Sequence, residues 1–378
     1  MKRVLRRVLP TVVVLVLYLL FFPARTGTEF MLDAVWALRP EARIIPATSE
    51  SVDGESSSIP YRVGDVFGYL DRSGTVLYQG IASERVALAS DRFILFGQDS
   101  GSVVVQSSTG AFLHSINQSG YPYLFPDGLI MVDSDGLSVS GYDLAGRRLW
   151  HHSLDSTVTA IAGSEDLTVI GLAGGGVRAV DRSGTLLDVD AAAVGLSGVT
   201  QAVSVRSDGG AFAVVSGAEI VVTAEQARSM FVTLYEVQDG GAVPILRREF
   251  VRDPFRTPDL TVGASGEKLV FSERDDGSGS IRVIDLISGD EYAIAATHPP
   301  ASVTLDNTES FLWVLEQAER PDPSRGFRYP ARVTYASVAG RPVIHGEFAA
   351  DTLSMRHYGE VAVITVDDRL LGLRVERR

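Results

Sequence analysis

The phrase Asp71-Arg72-Ser73-Gly74-Thr75 recurs letter for letter as Asp181-Arg182-Ser183-Gly184-Thr185. Strand-type residues precede each copy, Val66-Phe67-Gly68-Tyr69-Leu70 in one and Val177-Arg178-Ala179-Val180 in the other. Apolar pairs, Val76-Leu77 and Leu186-Leu187, follow. This spells a strand, a tight turn and a returning strand. Asp suits the first position of a type I turn, and Gly at the fourth takes the left-handed conformation that leads into the return strand.

Related glycines continue along the chain. Gly74, Gly110, Gly146 and Gly184 lie 36, 36 and 38 residues apart, and Gly240, Gly289 and Gly340 follow at intervals of 56, 49 and 51. A period of about 40 residues with four strands per unit is the signature of propeller blades. One unit divides into strand candidates at 85–89, 93–96, 102–106 and 112–116, counted from the centre outward. Second and third strands are nearly continuous apolar runs in several units, as expected of strands buried on both faces. Six full units fill 84–348. A hairpin at 66–80 precedes them, and three strands at 353–358, 361–365 and 370–375 follow. Joining the two ends completes a seventh blade and closes the ring, which removes free sheet edges. The surplus strand leaves eight blades as the alternative. The expected fold is therefore an all-β propeller over 59–378, with seven blades, folding as a separate soluble monomer.

Ahead of the repeats stand Lys2, Arg3, Arg6 and Arg7, followed by a run at 8–22 that is apolar apart from Pro10, Thr11 and Tyr18. A basic flank before an apolar run is a secretion or anchoring signal. As a helix the run spans roughly 22 Å, short of a ~30 Å hydrocarbon core, and Val4 and Leu5 extend it. Phe22-Pro23-Ala24 makes a poor cleavage site, because a bulky residue and Pro hold the positions that want small ones. The expectation is one uncleaved transmembrane helix within 1–24, with a cytoplasmic N-terminus and an extracytoplasmic body. Residues 25–58 read as a membrane-proximal segment, with a short amphipathic helix at 29–38 and a Ser-rich linker. An Arg-rich profile, with Lys2 and Lys268 the only lysines, suggests a bacterial source and a periplasmic body.

The formal net charge is −13. The four basic residues at the N-terminus leave −17 on the remainder, which argues against general binding to nucleic acid. There is no Cys, so disulfides, thiolate metal sites and a cysteine nucleophile are excluded.

These repeats resemble those of the quinoprotein-like and WD40-like superfamily. In the quinoprotein type a strand ends in Asp, Thr-Gly follows shortly, and Trp comes four residues after the Gly. Tyr142-Asp143-Leu144-Ala145-Gly146-Arg147-Arg148-Leu149-Trp150 matches best, and Asp285 with Gly289 keeps the spacing. Trp36 and Trp313 do not occupy that docking position in the sequence. Quinoprotein dehydrogenases carry adjacent cysteines beside their cofactor, so the resemblance implies no quinone here and no cofactor is expected. Some envelope proteins use similar propellers as membrane-tethered docking scaffolds, which suits the N-terminal run.

Motifs for chemistry are weak. Ser265-Gly266-Glu267-Lys268 matches Ser-x-x-Lys without its companion motifs. The run Gly171-Leu172-Ala173-Gly174-Gly175-Gly176 lacks a following Gly-Lys-Ser/Thr and reads as a turn. Asp133-Ser134-Asp135-Gly136 and Asp275-Asp276-Gly277 lack the later ligands of a calcium loop. His151 and His152 point to opposite faces of a strand, so no metal site is expected. No catalytic residue is assigned. Two Arg-rich stretches stand out against the acidic background: Arg248, Arg252, Phe255 and Arg256, and Arg320, Arg325, Arg328 and Arg332. They lie where the longer connections should share one rim and are the candidate binding residues for a protein partner or acidic ligand. The expected role is a membrane-anchored binding scaffold. The alternative is a propeller hydrolase or lyase with its site at the central channel.

Overall fold

The computed structural model describes residues 30–46, 58–82, 84–97, 101–189, 198–217, 229–251, 258–275 and 278–377. The proposed transmembrane run at 8–22 lies outside them. Among the described residues no helix is long and apolar enough to cross a membrane.

Strands in each repeat pair with their sequence neighbours in antiparallel order, first to fourth. Blades 2, 3 and 4 occupy 85–116, 121–153 and 158–189; blades 5, 6 and 7 occupy 200–251, 260–296 and 300–350. First strands of neighbouring blades lie against one another, so they line the centre. Buried second strands, such as Leu167–Leu172 and Ala211–Gly217, are covered along their whole length. In blade 4 the alternation is used on both sides. Leu167 and Val169 pack against blade 5, while Ile170 and Leu172 pack against blade 3. Each of eight interfaces between successive blades has its own apolar cluster, and the ring closes through Tyr61, Val63, Leu70, Val361 and Val363.

The ring thus has eight blades, and the expectation of seven is corrected. Val66–Leu70 does not begin a bare hairpin: Ile59–Val63 pairs with it, from Ile59↔Leu70 to Val63↔Val66. With Val76–Ile81 these strands form blade 1, which shows three strands among the described residues. By the order of its turns they are the second to fourth. Blade 8 comprises Leu353–Tyr358, Val361–Val366 and Arg369–Arg377, and takes its fourth strand from Phe30–Leu38. That segment pairs antiparallel with the chain's end, from Phe30↔Arg377 to Leu38↔Leu370. The helix expected at 29–38 is therefore a strand, and the ring begins at residue 30 rather than 59. Its Leu and Ala residues suit a helix locally, but an open edge at the other end of the chain offers a full ladder of hydrogen bonds.

Residues past this strand are tied down as well. Ile45 exchanges backbone hydrogen bonds of 3.0 Å with Gln79. The Gln79 amide, 1% exposed, donates to the carbonyls of Glu41 at 2.7 Å and Arg43 at 2.5 Å.

The repeated phrase forms the turn between third and fourth strands, and its two copies are built alike. One Asp71 oxygen accepts from the backbone N–H of Ser73 and of Thr75 at 2.8 Å and from the Ser73 hydroxyl at 2.6 Å. Asp181 accepts from the Thr185 N–H at 2.8 Å and the Ser183 hydroxyl at 2.7 Å. Burial alone would raise both carboxyls; the hydrogen bonds prevail and hold them below the ordinary value.

The glycine of the phrase has a second duty. Gly74 has φ +85°, and a Cβ there would come 2.4 Å from Cγ of Trp36 in the preceding blade. A Cβ on Gly184 would come equally close to Trp150. Tyr78 sits on Gly110 and His114 on Gly146 in the same way. Four consecutive interfaces, from blade 8 to blade 4, are thus closed by a ring on the outer strand seated on the next blade's turn glycine. Trp36 takes the docking position after all. It also covers Gly372 of its own blade, as Trp150 covers Gly141. Between blades 4 and 5 the outer strands instead form a parallel bridge, Asp188↔Gly241 and Val189↔Ala242.

Candidate binding rim

Alternation of strand direction puts the second-to-third and fourth-to-first connections on one face, here the loop face. The other two turns of each blade make the turn face. The most elaborate described loop, 318–328 of blade 7, joins Phe311–Gln317 to Tyr329–Ser337 on the loop face. Its base is closed by Ala318 N–H donating to Pro330 O at 2.8 Å and Asp322 N–H to Arg328 O at 2.9 Å. Asp322 caps a short 3-10 turn, Pro323–Arg325, accepting from the Ser324 N–H at 2.8 Å and its hydroxyl at 2.7 Å. These bonds, first the hydroxyl and then the N–H, hold the Asp322 carboxyl below its ordinary value. Gly326 and then Phe327 are left-handed, with φ 71° and 62°. The Phe327 N–H donates to Asp322 O at 3.0 Å, and its side chain is 71% exposed. A bulky residue at positive φ is uncommon and costs about 1–2 kcal/mol. Here the loop's hydrogen bonds impose that conformation and hold an aromatic ring out in solvent.

The candidate arginines are only partly brought together. Arg325 lies 3.8 Å from Asp322 and 3.9 Å from Glu347, and donates to Phe348 O at 3.1 Å. Arg332 belongs to the third strand of blade 7, where it donates to Glu347 at 2.6 Å and to the Thr297 hydroxyl at 2.8 Å. Its hydrogen bond and charge lower the Glu347 carboxyl. Arg328 pairs with Asp367 of blade 8, whose other oxygen accepts from the N–H groups of Asp351 at 2.7 Å and Thr352 at 3.0 Å. These three guanidinium groups are neutralised within the ring and lock blade 7 to itself and to blade 8. Arg320 is exposed and has no ion-pair partner among the described residues. Arg248 lies in the outer strand of blade 5, not in a loop, 3.9 Å from Glu291 of blade 6. Arg252, Phe255 and Arg256 fall outside the described residues.

Phe327 has no sequence signal beyond the neighbouring Arg-Gly. Its exposure follows from the backbone conformation, which composition does not reveal.

At the centre, the first strands of blades 2 to 8 and Ile59–Val63 of blade 1 carry no Asp or Glu. Arg62, Ser354 and Arg356 are exposed along this wall, with Tyr123 and Thr159 across the ring. Among the described residues no group of three His, Cys, Asp or Glu is placed to hold a metal ion.

A profile described as beta-propeller protein matches residues 2–334. The chain belongs to that family. Its repeats are beta-propeller repeats. In sequence the propeller is similar to an uncharacterized protein of Treponema pallidum (strain Nichols), 26% identical over 148 residues. That match covers 39% of this chain and 38% of the relative, well short of the relative's full length. In structure it is similar to BamB from Moraxella catarrhalis, with a TM-score of 0.58 and 13% identity, covering 91% of this chain and 100% of that one. Saccharomyces cerevisiae Sqt1 gives a TM-score of 0.59 at 11% identity, covering 84% of this chain and 92% of that one. The WD40 domain of SCAP from fission yeast gives 0.57 at 10%, covering 91% and 98%. At such identities the likeness speaks for the fold.

Proposed function

We propose that this propeller is a membrane-anchored, extracytoplasmic scaffold that binds a protein partner on its loop face, centred on the 318–328 loop. The observation that carries the reading is Phe327, 71% exposed and held at φ 62° in a loop closed by its own backbone hydrogen bonds and by the Asp322 cap. Exposed aromatic and Arg side chains on a rigid support are the usual anchors of an interface. Phe327 and the exposed Arg320 fit that pattern, whereas Arg325, Arg328 and Arg332 serve the fold. A binding role also suits a channel wall whose described strands carry no carboxylate. A hydrolase or lyase working there would need an acid–base pair.

The test is site-specific photo-crosslinking in cells, with the photoreactive residue at position 324 beside Phe327 and, as control, at position 287 on the turn face. The reading expects a discrete crosslinked protein from position 324 only, lost in Phe327→Ala/Arg320→Ser. Equal crosslinking from both positions, or no effect of the double substitution, refutes it.

A further inference from the structure

Among the described residues the exposed large apolar side chains are not spread evenly over the ring. Six stand at the outer corner of the turn face, where fourth strands begin. Met31 stands there on blade 8, Phe112 on blade 2, Leu149 on blade 3, Leu186 on blade 4, Val243 on blade 5 and Ile287 on blade 6. Phe112 is 66% exposed and Ile287 74%. On the loop face the described residues show Phe327, Leu137 and Ile81. Single exposed apolar residues need no explanation. Six blades each presenting one near the turn between third and fourth strands make a discontinuous apolar rim around that face.

The chain's own path says what covers this rim. Phe30 pairs with Arg377, the end of a third strand, so the fourth strand of blade 8 starts on the turn face. Whatever precedes residue 30 joins the ring there. The apolar run at 8–22 is separated from Phe30 by the seven residues 23–29. Seven residues reach at most about 25 Å when fully extended. A body tethered so closely at one edge of a flat face cannot stand far from the surface that holds the tether. We propose that the turn face lies against the lipid surface, with the rim side chains seated among the headgroups. The loop face, with Phe327, then points away from the membrane. The proposal rests on the reading of 8–22 as an anchor. It needs no basic patch: with −17 on the body, anionic lipid would repel it, and contact comes from the tether and the apolar rim.

The absence of Cys makes the test direct. Full-length chains carrying a single cysteine, Leu149→Cys, Leu186→Cys or Ser324→Cys, are labelled with an environment-sensitive fluorophore. They are reconstituted into phosphatidylcholine vesicles with and without a nitroxide on the lipid headgroup. Flotation with the vesicles is measured first. The expected result is co-flotation, with labels at 149 and 186 blue-shifted and quenched at least threefold more by the nitroxide lipid than the label at 324. Flotation with equal quenching at all three sites, or greater quenching at 324, overturns the proposed face and leaves the anchor standing. Failure to float overturns the anchor, and the proposed face with it.

Discussion

The seat of Trp36 on Gly74 predicts a stability difference between two glycines that look alike in sequence. Gly74 and Gly240 both occupy the turn between third and fourth strands, with φ +85° and +79°. Replacing either by Ala places an L-residue in left-handed backbone, at roughly 1–2 kcal/mol. The lower entropy of unfolded Ala returns about 0.4–1 kcal/mol of that. The backbone part is then about 1 kcal/mol at both sites. At Gly240 nothing lies within 4 Å of the new Cβ, so the loss stops there. At Gly74 the Cβ would stand 2.4 Å from Trp36 Cγ and 2.7 Å from Cδ2. The indole cannot slide away, because its other edge already lies where a Cβ on Gly372 would be, 2.3 Å from Cε2. Overpacking of this kind adds about 1–3 kcal/mol. Gly74→Ala should therefore cost about 2–4 kcal/mol and Gly240→Ala about 1. Urea unfolding read with a common slope gives both values. In a Trp36→Ala background the extra loss at Gly74 should largely vanish, a coupling that a double-mutant cycle reports. Equal losses for the two glycines in the wild-type background would refute the seat.

Two further outcomes follow from the ring's closure and its turns. A chain starting at residue 59 loses the fourth strand of blade 8 and exposes the edge of Arg369–Arg377. It should self-associate or unfold at lower urea than a chain starting at residue 30; sedimentation showing both equally monomeric and stable would contradict this. Asp285 accepts from Lys268 Nζ at 2.5 Å and from the N–H groups of Ser288 and Ile287 at 3.0 Å, which lowers its carboxyl to about 2. A carboxyl lowered in the folded state stabilises above its unfolded pKa of about 4 and loses that contribution as pH falls from there to about 2. Wild type should thus exceed Asp285→Asn in urea midpoint at pH 6, with the gap closing by pH 2; a gap independent of pH would exclude the assigned ionisation.

Local signals carried much of the architecture. The Asp-x-Ser-Gly-Thr turns, the apolar second strands and the six central repeats are legible because turn chemistry and period-two burial are written within a few residues. The split blade is not. Phe30–Leu38 meets its partner at the far end of the chain, and its Leu and Ala content favours a helix when read alone. For the same reason Trp36 hides its role: the glycine four residues before the docking position in intact blades has no counterpart ahead of it. Arg248 and Arg332 read as loop residues because flanking Pro and charge resemble a connection, yet the strands of blades 5 and 7 run on through them to Val251 and from Tyr329. Phe327 was invisible as an anchor, since its exposure depends on two consecutive left-handed residues.

The spacing of the turn glycines reports more than the number of blades. Where intervals are 36 to 38 residues, a ring at the docking position seats on the next glycine: Tyr78 on Gly110, His114 on Gly146 and Trp150 on Gly184. That contact fixes the height of each outer strand against its neighbour and leaves little room for change along the blade. Past Gly184 the equivalent positions hold Asp188, Pro244, Ala293 and Ile344. A Cβ on Gly240 or Gly289 would meet nothing within 4 Å, and one on Gly340 would come nearest to Ala293 and Ile294, at 3.3 Å and 3.8 Å, with no ring seated there. From there the interval widens to between 49 and 56 residues. Blades 5 and 7 have outer strands of 11 and 9 residues, against 5 and 6 in blades 2 and 3. Ring-on-glycine contacts thus hold one half of the propeller to a fixed repeat. The other half, joined by apolar packing and the bridge at Asp188 and Gly241, is free to lengthen, and it is there that the 318–328 loop and Phe327 are found.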